Sequence, residues 1–543
     1  MIRINQLKLP YDHNDMELKK AIIKTLRIKE KELLGYTIAK RSIDARKSLK
    51  SKEKRDILFV YSVDVRLKNG LEYKIPKNNS NLVLHEEKPY TYVRTGEMVL
   101  SEPPVIIGTG PAGLFCGLLL ARMGYCPRIF EQGFDVDTRM KDVEAFWETG
   151  KLNERSNVQF GEGGAGTFSD GKLNTLVKDP VGRNRYVLET FVEFGAPEEI
   201  LYINKPHIGT DILTTVVKNI RNEIIRLGGC VRFGAKMTDI RMENDRIRSI
   251  EINGYEQIPA QVVVLALGHS ARDSFKMLYE KSFPITAKAF AIGVRVEHLQ
   301  SEINRSQYGI EADGLLPAAD YKLTFRSNNG RSVYTFCMCP GGYVVNASSE
   351  EGGTVVNGMS NHGRDSANAN SAVIVSVTPE DFGSDSPLAG VEFQRRWEKC
   401  AWEAAGSQNR VPVQLFEDFK NRRISKSYGR IGPVHKGSCT FADLNNCLPK
   451  EVCDSLKEGI EAFGKKILGF DDPDTVLSGV ETRTSAPIRI LRDGQTLESP
   501  FQGVYPCGEG AGYAGGITSA AMDGMKTGEA IALKYRPMKK FEN

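Results

Sequence analysis

Hydrophobic positions along this chain change their period several times, and each change marks a new kind of element. Ile2, Ile4, Leu7 and Leu9 open the chain in near-alternation, and Leu18, Ile22 and Leu26 then fall on one helical face, predicting a helix over Asp15–Leu26. Leu34–Ala39 and Ile57–Leu67 read as strands, the second alternating through Phe59, Tyr61, Val63 and Val65. After the punctuation Ser101–Pro104 the character shifts. A short aliphatic strand, Val105–Ile107, runs into a glycine-rich turn, an apolar helix to Met123 and a second strand, Arg128–Phe130. Asp211–Leu227 predicts a helix, Cys230–Phe233 a strand, and the wholly aliphatic Val262–Leu267 a buried strand.

Residues 284–477 differ again, with alternating strands such as Ala287–Val296 and helical stretches at Val391–Ala405 and Lys450–Ile467. Beyond Leu477 the glycine-rich α/β pattern returns. That order predicts an α/β fold with a discontinuous Rossmann-like dinucleotide-binding domain (98–283 and 478–543). Into it is inserted an α+β substrate or cap domain (284–477), and a small α+β module (1–97) precedes it.

With 543 residues the chain exceeds one compact core. Its 41% hydrophobic and 26% charged residues are ordinary for a globular protein, which excludes wholesale disorder and fibrous repeats. No run approaches the roughly 18–20 apolar residues of a membrane span. The N-terminus has no signal-peptide core, and the ten cysteines form no pair of C-x-x-C motifs, so a cytoplasmic, metal-free protein is expected. The net charge of +5 is small, but residues 1–97 carry 22 Lys/Arg against 13 Asp/Glu. Eight of the sixteen residues in Lys40–Arg55 are basic, which reads as a solvated loop or frayed helix.

Gly108, Gly110 and Gly113 form G-x-G-x-x-G between a strand and a helix, and the next strand ends on Glu131, eighteen residues after the last glycine. Each part has a physical task. Gly108 permits the tight turn, and Gly110, followed by Pro111 and Ala112, lets backbone N–H groups approach a pyrophosphate at the helix N-terminus. Gly113 lets helix and sheet pack closely, and Glu131 accepts hydrogen bonds from ribose hydroxyls. At the other end of the chain Val504–Cys507 runs into Gly508-Glu509-Gly510, and Gly515-Gly516-Ile517 opens a helix of small residues. A carboxylate on such a turn can bind ribitol hydroxyls. A bare helix N-terminus stabilises the anionic edge of a reduced flavin.

Taken together, Pro104–Gly133 and Gly503–Ala532 resemble the FAD-dependent oxidoreductases of the glutathione-reductase-like superfamily, with Glu509 in place of the more usual Asp. The segments Gln159–Thr175, Asn204–Asp211, Phe336–Val345 and Gly479–Ile490 are similar to a group of uncharacterised FAD-dependent dehydrogenases of this length. The resemblance implies FAD as cofactor and hydride transfer at flavin N5. It further implies that Gly164, Ala165, Gly166, Thr167, Phe168 and Ser169 wrap the pyrophosphate and the flavin, with Arg139 among the cofactor contacts. Val231–Met237, including Lys236 and Met237, would meet the adenine, and Ala266-Leu267-Gly268 would form the strand-to-loop motif near the cofactor. There is no second G-x-G-x-x-G after a strand, which excludes a resident NAD(P)H site and leaves NAD(P)H as a visiting electron donor.

Three groups are candidates for substrate chemistry. His207 reads either as a general acid/base or as a buried structural histidine. Arg483 and Arg489, with Thr484 between them, read as a carboxylate or phosphate clamp or as a structural ion pair. Cys337-x-Cys339 reads as a reactive thiolate site or as two core cysteines. The expected partner is a small-molecule substrate, with no membrane. An RNA-associated flavoprotein and a non-catalytic flavin redox sensor are the alternatives. Against RNA, Lys40–Arg55 carries no aromatic residue for base stacking.

Overall fold

The computed structural model describes residues 1–46, 56–68, 79–86, 88–310 and 314–538. Near the N-terminus, a four-stranded antiparallel sheet runs in the order Leu33–Asp44, Leu58–Leu67, Ile2–Pro10, Leu82–Leu84. The helix Asp15–Leu26 starts from a capping box in which Asn14 and Glu17 exchange hydrogen bonds of 3.1 and 2.9 Å. Its buried Leu18, Ile22 and Leu26 belong to one hydrophobic cluster with Val63 and Val65 of the sheet, and that cluster continues into the large sheet of residues 290–480. Lys40–Asp44 was expected to begin a loop or frayed helix. It instead extends the strand, because Arg41 and Ile43 pair in register with Tyr61 and Phe59. Residues 47–55 of that basic segment lie outside the described residues.

Five short parallel strands form the second sheet, in the order Val504–Pro506, Val263–Leu265, Val105–Ile107, Arg128–Phe130, Cys230–Arg232. Val504–Pro506, Val263–Leu265 and Val105–Ile107 are buried throughout and mostly aliphatic, as burial on both faces demands. The helices Pro111–Arg122 and Ile517–Lys534 pack together on one face. A Cβ at Gly524 would strike the Ala112 carbonyl, so glycine sets their close approach. The stretch Val231–Met237, expected as one strand, is divided by a turn at Gly234 (φ +60°). Met237–Glu243 starts a separate antiparallel sheet with Arg246–Ile252 and Glu256–Pro259.

The chain leaves this region through Ile285–Ala287 and returns through Ile488–Ile490, and the two segments pair as antiparallel strands. Between them lies a seven-stranded sheet built on the long buried strands Phe290–Leu299 and Asn368–Val377. Ala287–Val296 is therefore two strands rather than one. Val476–Glu481 also lies within the large sheet, paired with both Phe290–Leu299 and Val411–Leu415, so that sheet runs past residue 477. No helix among the described residues is long and apolar enough to cross a membrane.

Candidate functional site

A cavity of about 360 Å³ opens where the parallel strands end, lined by segments from both sheets. Ligands of doubly wound sheets sit at this location, because the strand-to-helix turns there expose backbone N–H groups. At one side, Gly108 has φ +106°, and a Cβ there would meet the Ala266 carbonyl, so the turn requires glycine. Gly110, Pro111 and Ala112 line the cavity, while Gly113 lies behind it against Gly108. The helix cap Gly110 has no side-chain cap bond, and Pro111 sits in the first turn. The N–H groups of that turn thus have no partner within the helix.

Glu131 lines the cavity, but its carboxylate is heavily engaged. One oxygen accepts from Thr109 N and Oγ1 at 2.9 and 2.8 Å, the other from Gly133 N and Gly161 N at 2.9 and 3.1 Å. It ties three loops together, a task beyond the ribose contact expected from its position. Arg139, fully buried, does not line the cavity. Its guanidinium donates to the carbonyls of Asn157, Val158, Gly161, Glu162 and Gly164, and so fixes the glycine loop from behind. In that loop Gly164, Ala165, Gly166 and Ser169 face the cavity. Thr167 turns back to the Glu162 carbonyl, and Phe168 sits in a core cluster with Val143 and Val158 instead of meeting a flavin ring.

Lys236, Met237, Ala266, Leu267 and Gly268 also line the cavity. At the far side stand Glu509, Gly515, Gly516 and Ile517, and the cap Gly516 of the Ile517–Lys534 helix again has no side-chain bond. Gly508 points its N–H at Asp523, 2.8 Å away, which also holds Arg492 through two bonds of 2.6 and 3.0 Å. Burial pushes the Glu509 carboxyl up to about 7, with Lys288 opposing.

The substrate candidates part company. Arg483 lines the cavity, but Glu398, Ser270 and Ser349 take up its guanidinium at 2.6–3.1 Å. Thr484 lines it too, while its hydroxyl bonds the Ala291 carbonyl at 2.8 Å and so clips the loop after Val476–Glu481 to the strand Phe290–Leu299. Arg489 stacks on Tyr513. His207 lies elsewhere, against a second cavity of about 780 Å³, stacked on His362 and bonded to its carbonyl at 3.0 Å. Burial, then Arg364, pushes His207 down to about 4, so it is neutral at pH 7.

Sequence reasoning passed over most of the charged wall. Asp170 and Lys172 pair at 2.8 Å and both line the first cavity. Asp170 also accepts Arg364 at 2.5 and 2.9 Å, and Lys172 donates to the Met338 carbonyl. Cys337 and Glu481 line the cavity beside the buried Arg295. His269 follows Gly268 and is buried with Nε2 unpartnered. Of these, the sequence singles out Cys337, through Cys337-x-Cys339; Asp170 and Lys172 lie within the segment Gln159–Thr175 and Glu481 within Gly479–Ile490, and no spacing ties them to Arg295 or His269.

The fold and the cavity together define a mixed α/β protein whose parallel sheet ends on a glycine-lined cavity. Residues 289–484 match the family described as FAD-dependent protein, C-terminal domain-like, and residues 1–66 match a domain of unknown function. An uncharacterized protein of Clostridium beijerinckii is 48% identical over 98% of this chain and 99% of its own length. The chain belongs to the same family as that clostridial protein. Among solved structures, a flavin-dependent brominase is 12% identical with a TM-score of 0.36, covering 79% of each chain. The FAD-complexed glycerol-3-phosphate dehydrogenase from Bacillus halodurans is 11% identical with a TM-score of 0.34, covering 81% of this chain and 66% of its own.

Proposed function

We propose that this protein is an FAD-dependent oxidoreductase of the glutathione-reductase-like type that acts on a small molecule. The cofactor domain would be discontinuous, and the large sheet would cover the flavin. One observation carries the reading. Two glycine-capped helix N-termini, Gly110 and Gly516, open without side-chain caps onto the same cavity. That is a cradle for a long ligand with an anionic middle and an anionic end.

The residues fit FAD part by part. The Gly108 turn and the first turn of Pro111–Arg122 would hold the pyrophosphate, with Arg139 keeping the Gly161–Gly164 backbone in place beside it. The loops tied by Glu131 would receive the adenosine. Glu509 would reach the ribitol, and the Gly516–Ile517 end would face the ring. When bound, FAD supplies two-electron, hydride-type chemistry. The chain's own contribution there is the charged wall of Lys172, Asp170 and Glu481, backed by the buried Arg295. Glu481, pushed up to about 7 by burial against the pull of Arg295, can hold or release a proton near neutral pH.

An absorption spectrum of the purified protein, followed by anaerobic NADH and then NADPH, tests the reading. A flavin spectrum is expected. Bleaching by either nucleotide identifies a visiting donor, and an unbleached flavin directs the search to oxidisable substrates. No flavin uptake after reconstitution with FAD would sink the assignment.

A further inference from the structure

Cys337 interrupts the strand Ser332–Cys339. The pairing register with Asn368–Val377 shifts between Phe336 and Cys339, and Cys337 adopts φ +42°, a left-handed conformation unusual for a side chain with a Cβ. Backbone strain of this kind persists where the surroundings enforce it. Here they do. The Cys337 carbonyl accepts Arg295 Nη2 at 2.6 Å and the Cys339 thiol at 3.3 Å, and the next carbonyl, Met338, accepts Lys172. The kink turns Cys337 onto the cavity while Cys339 stays buried behind it, within 3.6 Å of Arg295.

The charges around the pair are unbalanced. Arg295, Lys172 and Arg364 bring three buried or half-buried cations, and Asp170 and Glu481 are the carboxylates bonded to them. Glu509 lies nearby with Lys288 as its own cation, and His207 is neutral. A thiolate at Cys337 supplies the missing anion. The neighbouring Cys339 thiol, then Arg295 and Lys172, hold the Cys337 thiol below its ordinary range, and Cys339 is held above its own. The other buried cysteines of the parallel-sheet core, Cys116 and Cys507, are pushed up by burial and have no such cations bonded to them.

We propose that Cys337 and Cys339 form a redox-active dithiol that exchanges two electrons with a flavin in the same cavity. The proposal rests on the FAD reading above. Starting from one thiolate and one thiol, joining the two sulfurs breaks the Cys339 S–H bond and releases two electrons and one proton. Oxidised flavin is the acceptor of both, and the reverse step returns the dithiol. The protein would then store two reducing equivalents beyond those of its cofactor.

An anaerobic reductive titration of fully oxidised, FAD-loaded protein reads this directly. Wild type should take up about four electrons per flavin, whereas Cys337→Ser and Cys339→Ser should take up about two, since each couple is a two-electron one. A second readout needs no flavin. Mild oxidation of the apoprotein should remove two hydrogens from the peptide spanning Cys337–Cys339 and protect it from alkylation, while the exposed Cys230 continues to react. That peptide map also serves if a serine variant fails to fold. Protein that takes up no flavin sinks the reading of the cavity. Flavin-loaded wild type that takes up only about two electrons, with both thiols of the pair still alkylated after oxidation, overturns the dithiol alone.

Discussion

Arg483 meets Glu398 in a two-point ion pair, Nε to Oε1 at 3.0 Å and Nη2 to Oε2 at 2.7 Å, with both side chains buried. Arg272 grips the same carboxylate from the other side at 2.7 and 2.9 Å. The cluster joins the strand end at Thr482–Arg483, the helix Ala389–Ala404 and the loop after Gly268. An arginine that sequence reading offers as a substrate clamp is thus a rivet between the two sheets.

Arg483→Ala should therefore cost stability before it costs anything else. Removing one member of a buried pair leaves the other charge undercompensated, at about 3 kcal/mol or more. Calorimetry should show a lowered Tm, and Arg483→Lys should recover part of it. A variant with wild-type Tm would return Arg483 to the candidate substrate ligands.

Gly108 and Gly110 should fail differently. Gly108→Ala combines a left-handed φ with a collision against the Ala266 carbonyl, and soluble protein should be lost. At Gly110 the φ is −66°, and a Cβ would sit 4.0 Å from Gly164 Cα, an ordinary contact. Gly110→Leu should fold, yet fill the cavity and weaken FAD binding by about tenfold or more. Full flavin occupancy in Gly110→Leu would mean that this turn does not touch the cofactor.

The glycine turns and the acidic residue after the second strand were legible because they encode backbone constraints at fixed spacing. Gly108 and Glu131 lie in the turns those constraints imply. What Glu131 does there was not legible. Its donors Gly133 and Gly161 come from loops whose meeting depends on packing. Of the two readings of His207, the buried structural histidine is the one its stacking on His362 and its bond to the His362 carbonyl describe. Its flanking Pro206 and Gly209 say nothing about which cavity the ring enters, and the fold sets it against the second. Cys337 and Glu481 are 144 positions apart and share a site only through Arg295, which no motif announces.

Buried histidine should shape the acid side of the stability curve. His298 is buried, bonded through Nε2 to the Phe470 carbonyl at 2.9 Å, and burial pushes it down to about 4. Unfolded, it titrates near 6.5, so its contribution is intact above 6.5 and is lost as pH falls toward 4. His298→Gln keeps a donor but cannot titrate. The difference between wild type and variant should therefore change by about 1.4 kcal/mol per pH unit through pH 6 to 5, read from urea midpoints. Parallel curves would show that His298 titrates in the folded protein as it does in the unfolded chain.

Glu481 should act with the opposite sign. Burial pushes its carboxyl up to about 7, while an unfolded glutamate titrates near 4.5. The folded protein therefore holds the extra proton between those values, and the stability this contributes is present below 4.5 and lost as pH rises through 7. Glu481→Gln removes the titration, so in the apoprotein the variant should gain on wild type by up to about 3 kcal/mol between pH 4.5 and 7. The same substitution leaves Arg295 without its carboxylate, 3.1 Å away in the native pair. The Cys337 thiolate then becomes the nearest anion to that buried guanidinium. Its alkylation rate should keep its full value to lower pH than in wild type, whereas Cys230 should be unaffected. An unchanged Cys337 profile would show that Arg295 does not govern the thiol, and would remove the electrostatic support for the dithiol.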